Sequence, residues 1–226
     1  MHTCGSFRWI HDLPLKSILE KRYSKRVWIE NDGKCCALAE LWKGNLSNVK
    51  NGVVMGLGTG IAGGIVLNGD LYRGMNGSAG EFSSILDNLK NPNNAKEFYQ
   101  IGSSLALINC YAKLKSIDSS DISGREFFEN YNNGDEITIK VIKEYSNILS
   151  SAIINIQSIL DVEKFCIGGG ISSQDVLINE IKEVVHDFFI NKASKAIKEP
   201  KIDKCFFENS AGCVGALYNF LVMENQ

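Results

Sequence analysis

Residues 57–69 read LGTGIAGGIVLNG, with Gly at positions 58, 60, 63, 64 and 69 of a stretch that otherwise has strand character. Glycine costs a strand both entropy and packing, so this many of them implies turns or close approaches to the backbone. Either side of the first two, GVVMGL and AGGIVLNG read as strands joined by a GTG turn at Gly58–Gly60. A tight glycine turn between strands offers N–H groups that can cradle a phosphate. It equally suits a plain hairpin in which Gly supplies φ > 0. The thirteen-residue stretch by itself leaves both readings open.

Upstream, LPLKSILEKR (residues 13–22) has the spacing of a helix, with Pro14 in its first turn. RVWIE (Arg26–Glu30) has the content of a short strand, and CCALAELWKG reads as a helix ended by Gly44. Downstream, Ile137, Val141, Tyr145, Ile148, Ala152, Ile156 and Ile159 recur at threes and fours, which predicts a long helix over Glu136–Leu160. KFCIGGGIS is a buried strand running into glycines, followed by a helix over DVLINEIKEVVHDFF. KCFFE is read as a last strand, and GCVGALYNFL as a closing helix whose small residues permit close packing. Strands alternating with helices predict an α/β architecture. The strand at Arg26–Glu30 stands alone and needs a sheet to join.

The 226 residues are 44% hydrophobic and 22% charged, with a net charge of −2, the profile of a soluble globular protein without a general nucleic-acid surface. No apolar run approaches the roughly 18–20 residues that span a bilayer. MHTCGSFRWIHD lacks the pattern of a secretory signal, so the expected location is cytoplasmic. Seven cysteines without a C-x-x-C pair read as small buried hydrophobes, and His2, His11 and His186 form no zinc signature.

Two further constellations could carry chemistry. IGGGIS (Ile167–Ser172) sits at a strand end before a helix, where α/β sheets bind nucleotides, but it is not G-x-G-x-x-G and disfavours a dinucleotide fold. In IENDGK, Asp32 beside Asn31 could act as general base toward a hydroxyl; both residues are also good helix caps. Glu81, in GSAGEF, could bind a polyol or be a solvated first-turn residue.

Taken in order, IENDGKCCALAELWKG, GLGTGIAGGIVLNGDLYRGMNGSAGEF, LDVEKFCIGGGIS and AGCVGALYNFL resemble successive segments of the ROK family (repressors, open reading frames and kinases), in the flavour of its sugar and β-glucoside kinases. The resemblance implies an actin/hexokinase-like (ribonuclease H-like) ATPase fold, an α/β architecture with a large C-terminal lobe plus a partial N-terminal lobe. Residues 1–48 would be a remnant of the N-terminal sugar-binding lobe, 49–208 the nucleotide-binding lobe and 209–226 a helix returning toward the first. It implies Asp32 as the base, Asn31 and Glu81 as sugar contacts, Gly58, Thr59 and Gly60 at the ATP phosphates, and Gly168, Gly169 and Gly170 along the adenosine site. ATP with Mg²⁺, a hexose or glucoside acceptor and a homodimer complete the implied set, with neither nucleic acid nor membrane as partner.

The sequence departs from the family pattern in three places. The first phosphate loop, of the type D-x-G-G-T, does not occur in these residues, so the expectation is a kinase polypeptide truncated at the N-terminus and impaired in activity. FSSILDN follows Glu81 where zinc-binding members carry a histidine and a Cys-rich motif, so zinc is not expected. The usual ENDAN reads ENDGK, with Lys34 in place of a small polar residue near the cleft. The alternative reading is a non-catalytic sugar- or nucleotide-binding or regulatory module derived from the family. A ROK repressor would need an N-terminal helix-turn-helix, which nothing here supplies.

Overall fold

Alternation along β1 (Gly52–Leu57) sets the layering. Val53, Met55 and Leu57 point to one face and Val54 to the other; all four are buried, so helices must cover both faces. The computed structural model describes residues 11–192 and 195–224, which leaves His2 and Cys4 outside the described residues. β2 (Ile61–Leu67) runs antiparallel to β1, and β3 (Asp70–Tyr72) antiparallel to β2. On the other side, β4 (Lys164–Gly168) is parallel to β1, and β5 (Lys201–Lys204) parallel to β4. The order is β3-β2-β1-β4-β5.

One face carries α2 (Asp32–Lys43) and α8 (Ala211–Glu224), with Ala37, Leu38 and Leu46 packed on Val54, Val66, Leu71, Cys166 and Cys205. The small residues of the last helix do permit close packing: a Cβ at Gly215 would lie 1.7 Å from the Cys35 carbonyl oxygen. Trp42 stacks on Tyr218 with ring centroids 5.1 Å apart. The other face carries α6 (Glu136–Leu160) and α7 (Asp175–Asn191). Along α6 the expected stripe is buried at Val141, Tyr145, Ala152 and Ile156, whereas Ile159 is exposed near the helix end.

Hydrophobic periodicity does not by itself assign the region before α6. It holds α3 (Phe98–Gly102), α4 (Ser104–Lys115) and α5 (Gly124–Asn132). Ser123 and Glu126 form a capping box at the start of α5, a signal present in the sequence. β3 was equally signalled by Asn68–Gly69, both at positive φ in a two-residue hairpin turn. α1 (Leu15–Tyr23) and the end of α2 at Gly44 lie where the spacing put them.

Two expected strands are not strands. Arg26–Glu30 makes no ladder bonds and is held by side chains: Arg26 and the Trp28 indole both donate to Glu224 of α8, and Glu30 pairs with Arg73 at 2.7 Å. It therefore lies beside α8 without joining the sheet, and Ile29 stays exposed. In KCFFE the ladder stops at Lys204, because the N–H groups of Phe206 and Phe207 donate instead to Glu40 Oε1, at 2.8 and 3.2 Å.

Of the described cysteines, Cys35, Cys166 and Cys205 are buried and Cys36 is half-buried, while Cys110 and Cys213 are exposed, against the expectation that all are buried. Burial pushes the Cys35 thiol up to about 12 and Cys36 to about 11, so neither offers a thiolate near neutrality.

Glu40 is fully buried, and its other oxygen accepts from Asn45 N–H at 2.8 Å. One carboxylate thus ties α2, the turn after it and the β5–α8 connection. Glu40→Ala would leave these N–H groups without partners, a loss of about 3 kcal/mol or more. Urea denaturation is expected to show this as a lower midpoint, and an unchanged midpoint would contradict it.

Candidate active site

β1 and β4 are parallel with Gly56 opposite Gly168, so the turns at 58–60 and 168–170 leave the same edge of the sheet side by side. In α/β sheets this carboxyl end is where ligands bind. Packing explains part of the glycine content there. Gly169 has φ +93°, and its Cβ would meet the Leu57 carbonyl oxygen at 2.2 Å; that of Gly168 would meet Cys205 Sγ at 3.0 Å.

Gly58 and Gly60 are different. The turn does close the β1–β2 hairpin, but neither glycine has positive φ, so φ is not what requires glycine there. A Cβ at Gly58 would find nothing closer than 3.8 Å, one at Gly60 only Ser83 Oγ at 3.2 Å, and one at Gly170 nothing within 4 Å. The chain itself has little need of glycine at these positions. The turn is nevertheless fixed: Gly58 N–H donates to Gly60 O at 3.0 Å, and Gly58 O accepts from Ser104 N and Oγ at 2.9 and 2.7 Å. Among the described residues, the N–H groups of Thr59 and Gly60 have no hydrogen-bond partner.

Gly63 and Gly64 serve the chain's own packing. A Cβ on Gly64 would meet Ala37 Cβ at 2.4 Å and Gly33 O at 2.9 Å; one on Gly63 would meet Gly80 O at 2.2 Å and the Phe82 ring at 2.4 Å. A Cβ on Gly33 would in turn strike Gly63 N at 2.5 Å. The start of α2 and the turn at Gly80 (φ +84°) therefore both press on β2 two or three residues from the GTG turn.

This contact brings Lys34 to Glu81, with Asn31 and Asp32 just before Lys34 at the start of α2. Asn31 is the N-cap of α2, its Oδ1 accepting from Lys34 N at 3.1 Å, as the capping reading anticipated. Asp32 is exposed; its Oδ1 accepts from Gly33 N at 2.8 Å, and its second oxygen makes no hydrogen bond among the described residues. Glu81 precedes a single 3-10 turn, Phe82–Ser84, without capping it, and its side chain is 53% exposed. Ser83 Oγ clamps that turn onto β2, accepting from Ile61 N at 2.9 Å and donating to Ile61 O at 3.2 Å.

Lys34 is the unexpected member. The sequence places a lysine near the cleft, but its side chain is only 1% exposed. Nζ makes no hydrogen bond and lies 3.6 Å from Glu81 Oε1. A charged group in an otherwise apolar helix face gave no signal of burial in one dimension.

A groove of about 490 Å³ has Trp28, Glu30, Leu38, Arg73 and Asn219 in its wall, and Asn31, Asp32, Lys34 and Glu81 do not line it. A second cleft of about 520 Å³, at Lys182, His186, Glu199 and Asp203, lies by the amino ends of β4 and β5 and holds none of these residues. Among the described residues, no group of three or more His, Cys, Asp or Glu side chains could hold a metal ion, and no helix is long and apolar enough to cross a membrane.

The model of the ROK family matches residues 2–222. The chain belongs to the ROK family. It is 32% identical to the β-glucoside kinase of Listeria innocua over 98% of its own length and 74% of that protein's. It is 28% identical to the N-acetyl-D-glucosamine kinase of Vibrio atlanticus, over 91% of this chain and 70% of that one. Among solved structures, a ROK family protein from Streptococcus pneumoniae in complex with sucrose superimposes with a TM-score of 0.85 at 27% identity, covering 97% of this chain and 73% of that one. The fold of this ROK protein is accordingly the actin/hexokinase-like, ribonuclease H-like one.

The two groups of glycines separate experimentally. Gly63→Ala is expected to cost about 1–3 kcal/mol through overpacking against Gly80 and Phe82. Gly58→Ala and Gly170→Ala should stay within about 0.5 kcal/mol of the parent. Thermal melts of the three variants check this, and a destabilised Gly58→Ala would return that glycine to the fold.

Proposed function

We propose that this chain is an ATP-dependent sugar kinase polypeptide that transfers a phosphoryl group to a hydroxyl of a hexose or glucoside. The observation that carries the reading is the GTG turn, held rigidly by Ser104, with two unpaired N–H groups and a Gly58 that neither φ nor packing requires. A rigid turn of that kind suits phosphate oxygens, because donors fixed before binding lose little on meeting the charge. Thr59 and Gly60 N–H would donate to ATP phosphates, and the open backbone at Gly170, beyond Gly168 and Gly169, would admit the adenosine. Mg²⁺ would arrive with the phosphates; the described residues offer no carboxylate cluster to hold it on their own.

On the sugar side, Asn31 and Glu81 would hydrogen-bond hydroxyls. Asp32, exposed and with one oxygen unpaired, would accept the proton of the attacking hydroxyl. The sugar oxygen forms a bond to the γ-phosphorus, the bond from that phosphorus to the β–γ bridging oxygen breaks, and ADP leaves with the electron pair. Such a transfer depends mostly on positioning and charge stabilisation. Within the chain we assign residues 49–208 to the nucleotide lobe, 209–226 to the returning helix and 1–48 to the sugar side. We also propose a cytoplasmic location.

These 226 residues contain no D-x-G-G-T loop, and the reading expects them to turn over slowly alone, since losing even one donor to developing charge costs about 10²–10³ in rate. A chimera preceded by the N-terminal part of the Listeria innocua β-glucoside kinase is expected to release ADP readily with a hexose or glucoside. In that chimera Asp32→Asn should lower turnover by about 10²–10⁴ while leaving nucleotide affinity unchanged. Gly58→Ala should do the reverse and weaken nucleotide binding. An Asp32→Asn chimera as active as its parent would remove Asp32 from the role of base.

A further inference from the structure

Lys34 poses a problem that the proposed function does not solve. Its ammonium is buried with three donors and no hydrogen bond, and its ionic neighbour is the half-exposed Glu81 carboxylate at 3.6 Å. An unpaired buried donor is costly, and the cost is recovered when an acceptor enters. Lys34 follows the cap residue Asn31 by three positions and Asp32 by two, and it meets Glu81 where β2 lacks a neighbouring strand, since β3 pairs only with Ile65–Leu67. The nitrogen therefore lies against the Glu81 carboxylate beside the first turn of α2. A phosphate is a poor occupant, because the Glu81 carboxylate lies against the same nitrogen.

Glu81 can only accept hydrogen bonds when ionised, and Lys34 can only donate. Together they complement a hydroxyl next to an oxygen that carries no hydrogen. Resting on the reading of Asn31, Asp32 and Glu81 as the sugar site, we propose that Lys34 is a specificity-determining residue whose ammonium donates to an acceptor-only oxygen of the bound sugar. That oxygen is a glycosidic ether or an acetamido carbonyl, beside a hydroxyl held by Glu81. A free hexose offers only hydroxyls and its ring oxygen, so it gains less from the lysine.

Calorimetric titration of the 226-residue chain with glucose, methyl β-glucoside and N-acetylglucosamine tests this without turnover. Lys34→Met keeps the aliphatic stem and removes the donors. It is expected to weaken one of the two substituted sugars about tenfold or more, and glucose less than about threefold. The sugar that loses affinity identifies the oxygen. Equal losses for all three sugars, or none, would overturn the proposal while leaving the sugar site standing. A parent chain that binds none of them would overturn the sugar-site reading itself, and this inference with it. The unmodified chain supplies a check that does not depend on the variant folding. If the ether is the contact, methyl 1-thio-β-glucoside should bind about tenfold more weakly than its oxygen analogue. If the carbonyl is the contact, N-acetylglucosamine should bind about tenfold more tightly than glucosamine. Neither difference appearing would overturn the proposal.

Discussion

Three backbones meet at Gly33, Gly63 and Gly80, so closely that a Cβ on Gly63 would lie 2.2 Å from the Gly80 carbonyl oxygen and one on Gly33 would lie 2.5 Å from Gly63 N. The contact joins the first turn of α2, a strand of the central sheet and the turn that ends at Glu81. Protein interiors tolerate little added volume, so any side chain here would force these segments apart. Asp32 and Lys34 flank Gly33 in sequence, and Glu81 follows Gly80. Their proximity is thus a by-product of glycine packing, and the polar cluster inherits its geometry from apolar constraint.

The far end of α2 is fixed in a different way. Glu40 gathers three backbone N–H groups there, while in the first turn Gly215 lets α8 pack against the Cys35 backbone. A helix anchored at both ends cannot slide along the sheet, which holds its N-terminal residues at the β2 edge. The GTG turn is held independently by Ser104 at the start of α4. The GTG turn and the start of α2 are therefore fixed by different contacts, on either side of β2's first residues.

Lys34 and Glu40 show two fates of a buried charge on one helix. Glu40 is saturated with hydrogen bonds and acts as a structural tie. Lys34 lacks them, and its ion-pair partner among the described residues is a half-exposed carboxylate. A saturated buried charge rigidifies, whereas an unsaturated one is costly until it meets a partner.

The sequence by itself determined the α/β class, β1 and β2, the span of α6 and the close packing of α8, because periodicity and small residues are local properties. It also pointed to Asn31, Asp32, Glu81 and the glycine turns, and through their order to the ROK family. The tertiary structure decided which glycines serve the fold: Gly63, Gly64 and Gly169 meet partners far away in sequence, and Gly58 and Gly170 do not. It also decided that Arg26–Glu30 is held by side chains and that Phe206 and Phe207 leave the ladder, since Glu40 competes for their N–H groups from 166 and 167 residues away. Lys34 belongs to the same class. Strand content and charge can be read along the chain, but hydrogen-bond partners and burial are set by neighbours that only the folded chain brings together.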